Sequence, residues 1–229
     1  MNDAVSLFIN YLQNQNQIQD QDLHDRIDEL ETAYFDWYRS CYNDRGNLLL
    51  GLICKNCNRC DILRRIIEYL IKKHGIRGYM YNLNHLDDLG DSILGYACAG
   101  NDSIEVIEYL VKECSMDPNH VNYRGDSILS LACARNNSVN VIEHLIENCK
   151  MDLNHLDDRG TSILCLACGD NSVEVINFLI EKCKMDINHL DGTGRSILHY
   201  ACMSNSIQVI EYLIKECKMD NHLNNANAG

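Results

Sequence analysis

The stretch "LDDRGTSILCLACGDNSVEVINFLIEKCKMDINH", residues 156–189, decides the fold. It holds an Asp–Gly turn, a serine before a short apolar run, a second serine before a longer one, and a polar close. The pattern recurs as "LDDLGDSILGYACAGNDSIEVIEYLVKECSMDPNH" (86–120), "VNYRGDSILSLACARNNSVNVIEHLIENCKMDLNH" (121–155) and "LDGTGRSILHYACMSNSIQVIEYLIKECKMDNH" (190–222). Gly90, Gly125, Gly160 and Gly194 stand at steps of 35, 35 and 34 residues, a period that signals a repeat architecture. A more diverged copy begins near Asn43, with Gly46 aligned to Gly90 and insertions before "IIEYLIKK" and before Asn84.

Each unit has a physical reading. The glycine supplies a backbone angle that other residues resist. Ser92, Ser127, Ser162 and Ser196 are placed to cap a short helix, and Ser103, Ser138, Ser172 and Ser206 a longer one. In the longer helix Val106, Ile107, Leu110 and Val111 share one face at helical spacing, while Glu105, Glu108 and Lys112 lie off it. One such pair cannot bury its apolar surface alone; stacked copies can. The expected fold is an all-α helical-pair repeat solenoid of about five repeats.

Composition narrows the function. The 229 residues are 46% apolar and 23% charged, an ordinary globular balance. No apolar run approaches the roughly 18 residues of a membrane span, and no basic segment followed by an apolar one opens the chain. The reading is a soluble, cytoplasmic protein. A net charge of −13 argues against a nucleic-acid partner, which needs clustered Lys and Arg.

The units "D-x-x-G-x-[ST]-I-L-x-x-A-C", "V-E-V-I-x-x-L-I" and "M-D-x-N" resemble the ankyrin repeat over residues 43 to 222. Ile stands where that family has Pro, and the family's first-helix His survives only at His199. No glycine ends the second helix in copies two to five, so Cys, Lys or Asn must bend the chain there, at a cost on the order of 1 kcal/mol. The lines "KMDLNH" and "KMDINH" also resemble ankyrin-like proteins of giant viruses of amoebae, which implies a viral protein acting on a host factor in host cytoplasm.

Thirteen cysteines invite a metal or redox reading, above all "CKNCNRC" (54–60) and "CLAC" (165–168). The repeat absorbs most of them. Cys54, Cys98, Cys133, Cys168 and Cys202 share one grid position, and Cys114, Cys149, Cys183 and Cys217 another, where Cys acts as a small apolar filler. Cys41, Cys57, Cys60 and Cys165 stand outside the grid. Structural zinc generally needs four ligands, and His74 is too far along its helix to join Cys57 and Cys60; Cys41 is the one candidate fourth ligand. A redox pair at Cys165 and Cys168 lacks the strand context such motifs have. His85, His120, His155, His189 and His222 recur after Asn or at the repeat end. Adjacent units about 10 Å apart would keep those rings from sharing an ion, so turn-supporting hydrogen bonds are expected. "GTGRS" (192–196) is half a dinucleotide fingerprint that falls on the repeat turn. No metal, cofactor or enzyme constellation is read here.

Domain limits follow: 1–42, an N-terminal helical region; 43–222, the repeats (43–85, 86–120, 121–155, 156–189, 190–222); and 223–229, a polar tail. In the first, Ala4, Leu7, Phe8, Tyr11 and Leu12 share a helical face, "NQNQIQDQD" is a polar linker, and Leu23, Ile27, Leu30, Tyr34, Trp37 and Cys41 share a second face. This region either caps the solenoid or serves as an oligomerisation or partner helix. The last repeat keeps Ile210, Leu213 and Ile214 with no obvious cap of its own.

The resemblance implies a non-enzymatic module that binds a partner protein through turn tips and the inner face of the short helices. Carried over by position, that surface is Asp88, Leu89, Asp91, Ala99 and Gly100; Tyr123, Arg124, Asp126 and Arg135; Asp158, Arg159, Thr161 and Asp170; and Gly192, Thr193, Arg195 and Met203. Tyr and Arg are frequent hot-spot residues, which singles out Tyr123, Arg124, Arg159 and Arg195. The alternative is a self-assembling structural component using uncovered solenoid ends or the N-terminal helices.

Overall fold

The computed structural model describes residues 2–15, 17–40, 49–74, 83, 86–204 and 206–219. Among them are α1 (Asn2–Asn14), α2 (Asp20–Ser40), α3 (Leu49–Asn56), α4 (Cys60–His74), α5 (Ile93–Cys98), α6 (Ile104–Glu108), α7 (Ile128–Arg135), α8 (Val139–Glu147), α9 (Ile163–Asp170), α10 (Val173–Asn177), α11 (Ile197–Met203) and α12 (Ile207–Lys215). The only strand-like features among the described residues are isolated bridges that close turns, such as Leu156 with Ser162. The fold class is an all-α, ankyrin-like repeat solenoid.

The chain forms two compact units, Met1–Tyr123 and Arg124–Gly229. In the first, short helix α3 stacks on α5. In the second, α7 stacks on α9 and α9 on α11. The repeat pattern builds both cores: Ile93, Leu94, Ala97 and Cys98 are buried in one, and Ile163, Leu164, Ala167 and Cys168 in the other. Val106, Ile107 and Leu110 are fully buried, as expected; Val111 is only half-buried.

Ser92, Ser127 and Ser162 accept hydrogen bonds from the backbone N–H of Gly95, Ser130 and Cys165. Ser196 differs: its N–H donates to Nδ1 of His199 at 3.2 Å, so the surviving family histidine braces its own helix start. At the second helix, Ser103 and Ser172 cap Val106 and Val175. Ser138 and Ser206 occupy the cap position without a side-chain bond.

The close of each second helix is bent by a non-glycine residue, a Lys in three copies as expected and Ser115 in the other. Helices α6 and α10 run on into single wide turns, Tyr109–Glu113 and Phe178–Lys182. The N–H groups of Cys114, Cys149, Cys183 and Cys217 reach back five residues, to the carbonyls of Tyr109, His144, Phe178 and Tyr212. Neither Cys nor Asn bends the chain. The left-handed residue is the next one, Ser115, Lys150, Lys184 or Lys218, with φ between 53° and 57°. Three of these turns then return Met116, Met151 and Met185 to the carbonyls of Leu110, Leu145 and Leu179, and the buried or half-buried methionine anchors the non-glycine turn.

Within the first unit, α1 packs on α2 and α3, and α2 on α4. The buried stripe of α1 is Val5, Phe8, Ile9 and Leu12; Leu7, read from periodicity as part of the face, is 69% exposed. The polar "linker" is shorter than expected, since α2 starts at Asp20 and Ile18 is buried. Leu23, Ile27 and Leu30 are buried as the pattern required. A polar seam completes the docking: Arg59 donates to the carbonyl of Gln15 at 2.7 Å, and Lys73 to Asp28 and Glu31 at 2.6 and 2.7 Å. The side chains of Tyr34 and Trp37, together with Cys41, His85 and His222, lie outside the described residues, as do 43–48 and 220–229.

Candidate functional site

The turns are built around a carboxylate, buried at Asp87 and Asp191 and half-buried at Asp157. Asp157 accepts from the N–H groups of Arg159 and Thr161 at 2.9 and 2.7 Å. Asp191 accepts from the N–H groups of Thr193 and Arg195 at 2.8 and 2.9 Å and from the Tyr200 hydroxyl at 2.8 Å. Burial pushes the Asp191 carboxyl toward protonation, but the bonds from Arg195, Thr193 and Tyr200 outweigh it and hold the group well below the usual carboxylate range. In the first unit Asp87 does the same for Leu89 and Asp91, with Tyr96 bonded to its second oxygen. Gly90, Gly125, Gly160 and Gly194 follow with φ from 72° to 79°.

Adjacent tips are stitched backbone to backbone. The N–H of Tyr123 donates to the Leu89 carbonyl at 2.9 Å in the first unit. In the second, Asp158 N–H donates to Arg124 at 3.1 Å and Gly192 N–H to Arg159 at 2.8 Å. The repeated histidines add a second tie. Nε2 of His120, His155 and His189 lies 2.6, 2.6 and 2.8 Å from the carbonyls of Gly90, Gly125 and Gly160. A carbonyl only accepts, so Nε2 carries the proton in each. These rings hold one turn to the next, in place of the family histidine missing from the other first helices.

Asparagines that sequence reasoning passed over form a third tie. Asn101, fully buried, donates from Nδ2 to the carbonyls of Cys54 and Cys57 at 2.7 and 2.9 Å, and accepts from Ser103 N–H. Asn171 donates to Cys133 and Asn136 at 2.6 and 3.0 Å and accepts from Ser172 N–H. The signal was available: an Asn precedes the second serine by one or two residues in every clear copy.

On this frame the implied partner-binding residues sort by exposure. In the first unit Asp88 is exposed, Leu89 half-buried and Tyr123 68% exposed, its ring lying against Gly90. Asp91 is buried and receives Asn122 Nδ2 at 2.7 Å. In the second unit Arg124, Arg135, Asp158, Arg159, Asp170, Thr193 and Met203 are exposed and Asp126 is half-buried. Thr161 is buried, its hydroxyl 3.2 Å from that of Tyr200. Arg195 is half-buried and engaged in its own turn, donating to Asp191 and to the Thr193 hydroxyl. Asp91 and Thr161 therefore hold the stack from inside, and the side chains that project are their neighbours.

The cysteines follow the grid. Cys54, Cys98, Cys133 and Cys168 are fully buried. Cys202, at the same position in the last repeat, is exposed. Cys57 and Cys60 donate weakly to the carbonyls of Arg59 and Glu105. Among the described residues no group of three or more His, Cys, Asp or Glu is arranged to hold a metal ion. Burial raises the Cys165 and Cys168 thiols, the opposite of what a reactive pair requires.

The family described as ankyrin repeats (3 copies) matches residues 39–154 and 129–225. No curated protein matches the chain. The chain belongs to the ankyrin-repeat family, whose members are generally protein–protein interaction modules and typically not enzymes. Among the described residues no helix is long and apolar enough to cross a membrane.

Proposed function

We propose that the chain recruits a partner protein, without chemistry of its own, through the exposed tip residues Arg124, Asp158, Arg159 and Thr193 and the inner-face residues Arg135, Asp170 and Met203. One observation carries this reading. The tips of the second unit are fixed by half-buried Asp157 and buried Asp191 and by the backbone bonds from Asp158 to Arg124 and from Gly192 to Arg159, yet their charged side chains stand in solvent. Projecting groups on a rigid frame lose little backbone entropy on binding, which favours affinity from few contacts. Arg and Asp alternate at these tips, which suits a polar, folded surface bearing both signs. Asp88, Leu89 and Tyr123 offer a separate tip in the first unit, and residues 1–42 act as its cap, in keeping with the packing of α1 and α2 on α3 and α4. The resemblance of "KMDLNH" and "KMDINH" to giant-virus proteins supports a host cytoplasmic factor as the partner.

The test is a pull-down from amoebal lysate with the Arg124→Glu, Arg159→Glu protein as control, at matched melting temperature. A partner retained by the native chain and lost by the variant supports the reading. A partner held equally by both overturns the assignment to these tips.

A further inference from the structure

Gly169 is out of place in its own helix. It lies within the last turn of α9, which Asn171 closes, and it is not among the glycines with left-handed φ. A glycine inside a helix loses more backbone entropy on folding than any residue with a side chain. Packing gives no reason for it. Beyond its own helix, a Cβ on Gly169 would meet only a ring carbon of Tyr200, at an ordinary 3.9 Å. Gly51 in α3 differs, since a Cβ there would lie 3.0 Å from the ring of Tyr96. Neighbouring repeats carry Ala134 and Met203 at the position of Gly169, and Met203 stands 66% exposed. The fold thus accepts a side chain there, directed away from the core.

We propose that Gly169 is kept bare for the partner protein, a large apolar side chain of which lies flat on the backbone of α9; this rests on the reading of the inner face as partner-binding. Glycine is the residue that lets a ligand approach a backbone closely. The surroundings select the occupant. Leu166, half-buried, lies one turn back on the same face of α9. Ala134 holds the matching place in α7, which stacks on α9, and the Tyr200 ring borders the other side. Next to the two small residues stand Arg135 and Asp170, both exposed. Among the described residues neither of these side chains makes an ion pair or hydrogen bond. An apolar centre inside a charged rim is the usual anatomy of a protein interface. The segment that fits carries its apolar residue between an acid, for Arg135, and a base, for Asp170.

Two measurements on the full chain test this. Gly169→Ala should raise the urea midpoint, and Gly169→Met should keep the native circular dichroism. A lower midpoint for Gly169→Ala would give the glycine an internal reason and overturn the proposal. Binding is read by amide NMR with the peptide acetyl-Glu-Trp-Lys-amide, against acetyl-Glu-Gly-Lys-amide. The tryptophan peptide should shift the amides of Leu166, Gly169 and Asp170 with a Kd on the order of millimolar, weakened about tenfold or more by Gly169→Met. No shift, equal shifts from both peptides, or binding indifferent to Gly169→Met overturns it. A partner captured through Arg124 and Arg159 that ignores Gly169→Met would sink this inference alone and leave the tips standing.

Discussion

Alanine at Gly125 and, separately, at Gly194 measures how neighbouring turns hold one another. Both glycines sit at φ 79°, where a side chain costs about 1 kcal/mol. Their surroundings differ. A Cβ on Gly194 would meet nothing within 4 Å, whereas one on Gly125 would lie 2.5 Å from the backbone nitrogen of Asp158. A backbone nitrogen cannot rotate away. This N–H also donates to the Arg124 carbonyl, and the Gly125 carbonyl receives His155. Overpacking costs about 1–3 kcal/mol and a weakened hydrogen bond about 1 more. Gly194→Ala should thus lose about 1 kcal/mol and Gly125→Ala about 3–5. Urea unfolding followed by circular dichroism reads both, with amide exchange over α9 reporting the local loss. Equal losses in the two variants, or a Gly125→Ala protein as stable as the native one, would refute the close approach of these turns.

Three further outcomes follow from the same geometry. Lys150→Gly and Lys184→Gly should each raise stability by about 1 kcal/mol by relieving the left-handed residue, read as a higher urea midpoint; no gain would place the bend elsewhere. Asn171→Ala should lose about 2–3 kcal/mol, because the carbonyls of Cys133 and Asn136 are left in the interior without their donor, and the same unfolding curve checks it. Asp191, depressed in the folded state, contributes stability that is present above the ordinary carboxylate pKa of about 4 and fades as pH falls through and below it. Asp191→Asn should therefore narrow the gap in urea midpoint between pH 7 and pH 3; an unchanged gap would sink this assignment.

The period, the turn glycines, the first-helix capping serines and the apolar grid were all legible in the chain, because each depends on local backbone geometry or on a face that every copy must bury. Cysteine as core filler was legible for the same reason, since recurrence separates packing from chemistry. Recurrence could not say what a polar residue touches. The asparagines before the second serine and the histidines that close each unit repeat as plainly as the leucines do, but their partners lie 29 to 47 residues away. Likewise Asp158 and Arg159 look like Asp91 and Thr161 on the page. Only the stacked turns separate them, by enclosing Asp91 and Thr161 and leaving Asp158 and Arg159 in water. Periodicity assigns a residue to a face, and the neighbour packed against that face determines whether it meets protein or solvent. That is why Cys168 is core and Cys202, one repeat later, is surface.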